Sequence, residues 1–234
     1  MIKAFLLDIE GTTTPIDFVH KVLFPYAARH IGEYVALHFD DLRPEIEQLS
    51  VESAADEGFT EPFDPTEPGS VSHYLEHLIA CDRKSTPLKA IQGNIWCAGY
   101  ESGELISPVF SDVPDAFAAF RNEKRSIAIY SSGSVLAQKL IFRWSESGDL
   151  TPFISFYFDT NVGHKRETQS YTIIAAKMGL DPQNILFASD IAEELDAAAA
   201  AGCRTALAVR PGNAKSENVG GHPRIESLTE LIGI

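Results

Sequence analysis

Asp8 and Glu10 stand two residues apart, after an apolar run and before Gly11 and three hydroxyl residues, Thr12, Thr13 and Thr14. Two carboxylates this close repel each other when both are ionised, and a nearby cation relieves the repulsion. An oxygen-rich pair of this kind suits Mg²⁺. Further along, Ser131 and Ser132 precede Gly133, and hydroxyls with backbone N–H groups at a strand-to-helix turn can receive an anion. Gly163, His164, Lys165 and Arg166 gather positive charge, and Lys165 could reach a phosphate oxygen as a point cation. Asp190 could complete a metal site with Asp8, with Glu193 or Glu194 bracing it from behind. Each feature also has a plainer explanation. Asp8 can simply end a strand, Ser132 or Ser134 can cap a helix, and residues 163–166 can form a solvated basic turn. Asp190 can be an N-cap, with two glutamates favouring the helix N-terminus.

The elements that would position these residues decide between the two sets of explanations. Residues 2–7, apolar except for Lys3, read as a buried strand ending at Asp8. Strands are also predicted over 126–130, ending at Ser131; over 153–158, ending at Asp159; over 184–189, ending at Asp190; and over 204–209. Helices are predicted over 113–123, 135–144, 167–178 with Gly179 as C-cap, 192–201 stopped by Gly202, and 227–232. Strands alternating with helices imply an α/β fold with a parallel sheet and right-handed crossovers. In such sheets ligands sit outside the carboxyl ends of the strands. Asp8, Ser131, Ser132, Lys165 and Asp190 would then share one rim.

The first crossover breaks this alternation. Residues 17–100 look wholly helical: 17–39 with an interruption at Pro25, then 44–55, 70–82 with Ser70 as cap, and 87–100. Between them, residues 57–69 are rich in proline, glycine and acids and read as an exposed loop. A connection of this length is better explained as an inserted domain than as a loop. The expected division is a core of 1–16 and 103–234 with a helical insertion of 17–102.

Overall composition narrows the function classes. The 234 residues are 44% hydrophobic, enough for a sizeable core, and the formal net charge is −14. That charge argues against a nucleic-acid binder and leaves any anionic substrate to be drawn by local cations. Cys81, Cys97 and Cys203 form no pair with metal-ligand spacing and read as small buried hydrophobes in a reducing compartment. No signal-peptide pattern and no membrane-length apolar run is present, so a cytoplasmic protein without membrane partners is expected. Nothing demands more than a monomer.

Taken together, Asp8, Ser131 or Ser132, Lys165 and Asp190 resemble the four motifs of the haloacid dehalogenase superfamily. The segment Leu6-Leu7-Asp8-Ile9-Glu10-Gly11-Thr12-Thr13-Thr14-Pro15-Ile16 resembles the opening of the bifunctional enolase-phosphatases of methionine salvage. So do Tyr130-Ser131-Ser132-Gly133-Ser134-Val135, Gly163-His164-Lys165, Asp82-Arg83-Lys84-Ser85-Thr86 and Val209-Arg210-Pro211-Gly212-Asn213. Glu10 replaces the aspartate of most superfamily phosphatases, as it does in that narrower group; residues 40–69 match poorly. The resemblance implies a Rossmann-like catalytic core with a helical cap. It implies Asp8 as nucleophile, Glu10 as acid and base, and Ser131 or Ser132 with Lys165 on the phosphate. One Mg²⁺ would be held by Asp8, the Glu10 main-chain carbonyl and Asp190. The implied substrate is 2,3-diketo-5-methylthiopentyl-1-phosphate, enolised and then dephosphorylated to an acireductone. A simple phosphatase acting on another small ester, such as a phosphoglycolate-like metabolite, is the competing enzyme class. The proton-abstracting base stays open between Glu10 and Lys165. Arg83 and Lys84 could face the substrate or merely be solvated.

Overall fold

The computed structural model describes residues 1–213 and 221–234. A six-stranded parallel sheet runs β1 (Ala4–Leu7), β2 (Ser126–Tyr130), β3 (Ile154–Phe158), β4 (Ile185–Ser189), β5 (Arg204–Ala208) and β6 (Arg224–Ile225) in chain order. In space the order is β3-β2-β1-β4-β5-β6, so the first strand lies at the centre and the chain reverses direction across it. Between the strands lie α6 (Val113–Asn122), α7 (Val135–Arg143), α8 (Thr168–Met178) and α9 (Ala192–Ala200), numbered after five earlier helices. Those five are α1 (Ile16–Phe18), α2 (Phe24–His38), α3 (Arg43–Ala55), α4 (Pro68–Ala80) and α5 (Thr86–Glu101).

Strand β1 is buried on both faces, which explains its unbroken apolar run. Successive side chains alternate between the faces. Ala4 and Leu6 join the cluster built with Tyr171 and Ile174 of α8 and Leu195 and Ala198 of α9. Phe5 turns the other way and stacks on Phe120 of α6, ring centroids 3.8 Å apart. Each such side chain contributes on the order of 2 kcal/mol through burial.

Register then fixes the rim. Leu7 pairs with Ile129 on one side and with Ala188 on the other. The residues that follow, Asp8, Tyr130 with Ser131, and Ser189 with Asp190, therefore leave the sheet at one level.

The chain divides into two compact units, Met1–Val19 with Ile106–Ile234, and His20–Leu105. In the helical unit Trp96 Nε1 donates to the Leu23 carbonyl at 2.9 Å. Gly99 of α5 lets the Tyr26 ring approach, since a Cβ there would lie 2.7 Å from three of its atoms. Three local expectations are corrected. Pro25 does not break the helix: it follows a π-helical turn at Val19–Leu23, whose wider winding absorbs the missing N–H. Helix α4 starts at Pro68, ahead of Ser70, whose hydroxyl accepts from the Asp64 N–H at 2.8 Å and ties down the loop. Cys203 is buried, but Cys81 is the exposed C-cap of α4. The two-residue β6 was too short to signal itself. Among the described residues no helix is long and apolar enough to cross a membrane.

Candidate active site

Asp8 lies one residue beyond β1, in step with Leu6, and so faces the side of the sheet that carries α8 and α9. It is 3% exposed. The ammonium of Lys165, 6% exposed, lies 2.7 Å from Asp8 Oδ1 and 2.7 Å from Glu194 Oε2. The Ser189 hydroxyl lies 3.1 Å from Asp8 Oδ2 and 3.0 Å from Glu194 Oε2, and can give its one proton to either. Three chain segments thus meet here: the end of β1, the loop carrying Lys165, and the stretch from Ser189 to Glu194.

Lys165 is not at a strand end; local hydrogen bonds carry it in. Tyr171 of α8 donates to the Lys165 carbonyl at 2.6 Å, and Tyr130 of β2 donates to the Gly163 carbonyl at 2.9 Å. Burial alone would drive the ammonium towards its neutral form, but Asp8 and Glu194 outweigh this and hold its pKa above the ordinary value.

The loop after Asp8 is wound tightly. The N–H groups of Thr12, Thr13 and Thr14 all point at the Ile9 carbonyl, and the Thr13 hydroxyl donates to the Asp8 carbonyl at 3.1 Å. Gly11 has a φ of +67° and no Cβ, which leaves room for Asp190: a Cβ there would overlap Asp190 Oδ2. Asp190 is thereby packed against the Asp8 loop. Glu10 sits across from Ser131, whose Oγ donates to Glu10 Oε2 at 3.4 Å and accepts from the Gly133 N–H at 3.1 Å. Of the two serines, Ser131 is 1% exposed and turned into the site, while Ser132 is half-buried. Gln138 of α7 fixes this turn through the Gly133 and Phe158 carbonyls, at 2.9 and 2.8 Å.

Asp8, Glu10, Asp190 and Glu194 crowd around a single ammonium. Burial, then the Asp8 charge, raise the Glu10 and Glu194 carboxyls above their usual range, and the same two causes push Asp190 up to about 7. Such a surplus of buried negative charge fits a bound cation. Among the described residues no three Asp, Glu, His or Cys side chains form a metal cage. Two carboxylates and a main-chain carbonyl suit Mg²⁺, which keeps several waters and takes few protein ligands. The loop offers one such carbonyl. Those of Asp8, Ile9, Gly11, Thr12, Thr13 and Thr14 all accept hydrogen bonds, and among the described residues that of Glu10 accepts none.

The sequence left Glu193 and Glu194 undistinguished; Glu194 is buried beside Lys165, and Glu193 faces solvent. Ser189 was missed because it reads as an ordinary strand residue. Arg210 and Asn213 had no assigned role. Arg210 Nε donates to the Thr12 carbonyl at 3.0 Å, and Asn213 Nδ2 donates to the Gly11 carbonyl at 2.8 Å. In the helical unit, Arg83 and Lys84 line a cavity of about 500 Å³ with Tyr74 and Ser85, and Arg83 pairs with Asp56 at 3.2 Å.

A central parallel strand ending in a buried acid, with a serine, a lysine and a second acid brought to the same rim by the loops after later strands, defines a class of hydrolase. The model of the haloacid dehalogenase-like hydrolase family matches residues 2–202. The protein named Enolase-phosphatase E1 of Leptospira borgpetersenii is 48% identical over 228 residues, 97% of this chain and 96% of that one. Its namesake from Synechococcus elongatus is 48% identical over 235 residues, 98% of each chain. The crystal structure of the UTR4 protein of Saccharomyces cerevisiae superposes with a TM-score of 0.80 at 35% identity, covering 97% of this chain and 98% of that one. The chain belongs to the haloacid dehalogenase-like hydrolases and, within them, to the enolase-phosphatases.

Proposed function

We propose that this protein converts 2,3-diketo-5-methylthiopentyl-1-phosphate into acireductone and phosphate in methionine salvage, using one Mg²⁺. The observation that carries the reading is the convergence on Asp8: Lys165 at 2.7 Å, with Asp190 packed against the next turn of the same loop. Asp8, the Glu10 carbonyl and Asp190 would hold the cation. When bound, Mg²⁺ polarises a substrate carbonyl oxygen and offsets charge on the phosphoryl group.

The remaining steps belong to the chain's own residues. The enolisation moves a proton from carbon to base, and Lys165 is a poor base here because two carboxylates hold it as an ammonium. Glu10 is the better candidate of the two. In the second stage an Asp8 oxygen attacks phosphorus, the bond to the substrate oxygen breaks, and Glu10 gives that oxygen its proton. Glu10 then takes a proton from the water that attacks the aspartyl-phosphate, releasing phosphate and restoring Asp8. Lys165 and Ser131 bind the phosphoryl oxygens and keep their charge positioned for in-line transfer. We assign His20–Leu105 as the cap that receives the organic end of the substrate. A single chain in the cytoplasm suffices for this work.

The test is to supply the diketo phosphate with and without Mg²⁺ and follow acireductone absorbance and phosphate together. Both products are expected, and only with Mg²⁺. Phosphate release from simple esters alone, with no enol product, rejects the enolase half and leaves an ordinary phosphatase.

A further inference from the structure

We infer that Asn213 is a positioning residue for the cation held by Asp8, Glu10 and Asp190, an inference that rests on the metal reading above. Asn213 closes the turn after β5, its N–H donating to the Arg210 carbonyl at 3.1 Å. Its Nδ2 donates to the Gly11 carbonyl at 2.8 Å and lies 3.3 Å from that of Ala208. Arg210 of the same turn holds the Thr12 carbonyl. One turn therefore pins the two peptide carbonyls that directly follow Glu10. With those two committed and the Ile9 carbonyl saturated by three N–H groups, the Glu10 carbonyl is the one left over for a ligand.

The other end of the amide adds a second observation. Asn213 Oδ1 is buried and, among the described residues, has no hydrogen-bond partner. The two carbonyls on Nδ2 fix which way the amide faces, since the flipped form would set oxygen against oxygen. Oδ1 lies 2.8 Å from the point a Gly11 Cβ would occupy, the same point that Asp190 Oδ2 crowds. A lone acceptor thus sits beside a carboxylate assigned to the cation, and once that carboxylate is ionised neither oxygen has a proton to give the other. A water bound to the cation is the donor that this arrangement lacks. An asparagine meets both needs without adding a fifth carboxylate. Its distance from Asp8 in sequence hides this role, although the motif Val209–Asn213 contains it.

Mg²⁺ titration calorimetry on metal-free wild type, Asn213→Ala and Asp190→Asn tests this. Asn213→Ala is expected to weaken Mg²⁺ binding about tenfold or more, as loss of an outer partner does. The Mg²⁺-dependent rise in Tm at a fixed concentration should shrink accordingly. Turnover should be restored by raising Mg²⁺, with the substrate KM at saturating Mg²⁺ unchanged; a residue that merely held the fold would show no such rescue. Should Asn213→Ala fail to fold, Asn213→Ser is read by the same criteria. Unchanged Mg²⁺ affinity in the Asn213 variant, with affinity lost in Asp190→Asn, overturns the inference and spares the metal reading. Unchanged affinity in Asp190→Asn overturns the metal reading itself.

Discussion

Two acid–base clusters among the described residues of the core unit are built on opposite plans. Around Asp8, several carboxylates share one lysine, a point cation on a flexible stem. Around Asp112, which precedes α6, one carboxylate is met by more donors than it needs. Arg210 donates from Nη1 at 3.0 Å and from Nη2 at 2.9 Å, and the Ser227 hydroxyl and Leu228 N–H add bonds at 3.1 and 2.6 Å. The guanidinium is also filled by the Thr12 and Glu226 carbonyls, and it lies 4.6 Å from the Phe110 ring centre. The second cluster is electrically closed and has nothing left to offer a ligand. The first is open, and its surplus charge is what a cation and a phosphate would balance. A buried charge therefore does not by itself mark chemistry; the unbalanced one does.

The contrast breaks most visibly at Asp8. Asp8→Asn removes the proposed nucleophile and one of the lysine's two carboxylates, while Glu194 keeps Lys165 paired. Phosphate release should fall by about 10⁴-fold or more, as for other lost nucleophiles, with the thermal transition retained. Unaltered turnover would show that Asp8 is not the nucleophile. Glu10→Gln is the next largest. It keeps the main-chain carbonyl but loses the proposed proton donor, so turnover should drop about 10²- to 10⁴-fold. Mg²⁺ affinity, read by calorimetry, should stay near that of wild type; its collapse would contradict the main-chain ligand.

The closed cluster should fail through stability instead. Asp112→Asn leaves a buried guanidinium against carbonyls alone, and a cost of about 3 kcal/mol in urea denaturation at neutral pH is expected. Burial would raise the Asp112 carboxyl, but Arg210, the Leu228 N–H and Ser227 outweigh it and hold it below its ordinary 3.8. A depressed carboxyl stabilises the fold fully above the unfolded value and loses that contribution as pH falls through the folded one. The gap between wild type and Asp112→Asn should accordingly be constant above about pH 5 and narrow below about pH 4. A gap that widens in acid would show that the carboxylate is not the stabilising form.

What the sequence disclosed follows the same division. Asp8, Ser131 and Asp190 were legible because each stands directly past an apolar run, and a parallel sheet sends all such positions to one rim. The insertion was legible as helical from its spacing, yet the start of α4 at Pro68 and the π turn before Pro25 depend on local geometry that periodicity does not encode. Arg210 and Asn213 were quoted as part of a motif without a role, since their partners Thr12 and Gly11 lie at the other end of the chain. Lys165 was singled out among three basic neighbours, but why it alone turns inward lies in the two tyrosine hydroxyls that hold its loop.

The smallest expected effect is also the sharpest probe of that limit. Glu193 and Glu194 are adjacent, chemically identical, and both lie in the first turn of α9, where a carboxylate favours the helix N-terminus equally well. Helix phase alone separates them: Glu194 shares the inner face with Leu195 and Ala198, and Glu193 points to water. Glu194→Gln should leave Lys165 with a single ionised partner, Asp8, which then holds the ammonium away from the phosphoryl oxygens it must reach. Turnover should fall about tenfold, within the usual range for a partner one step behind the reacting groups. Glu193→Gln removes only an exposed charge and should change stability by less than about 0.5 kcal/mol and turnover not at all. Equal losses in the two variants would mean that the helix terminus as a whole, and not the Lys165 ion pair, tunes the open cluster.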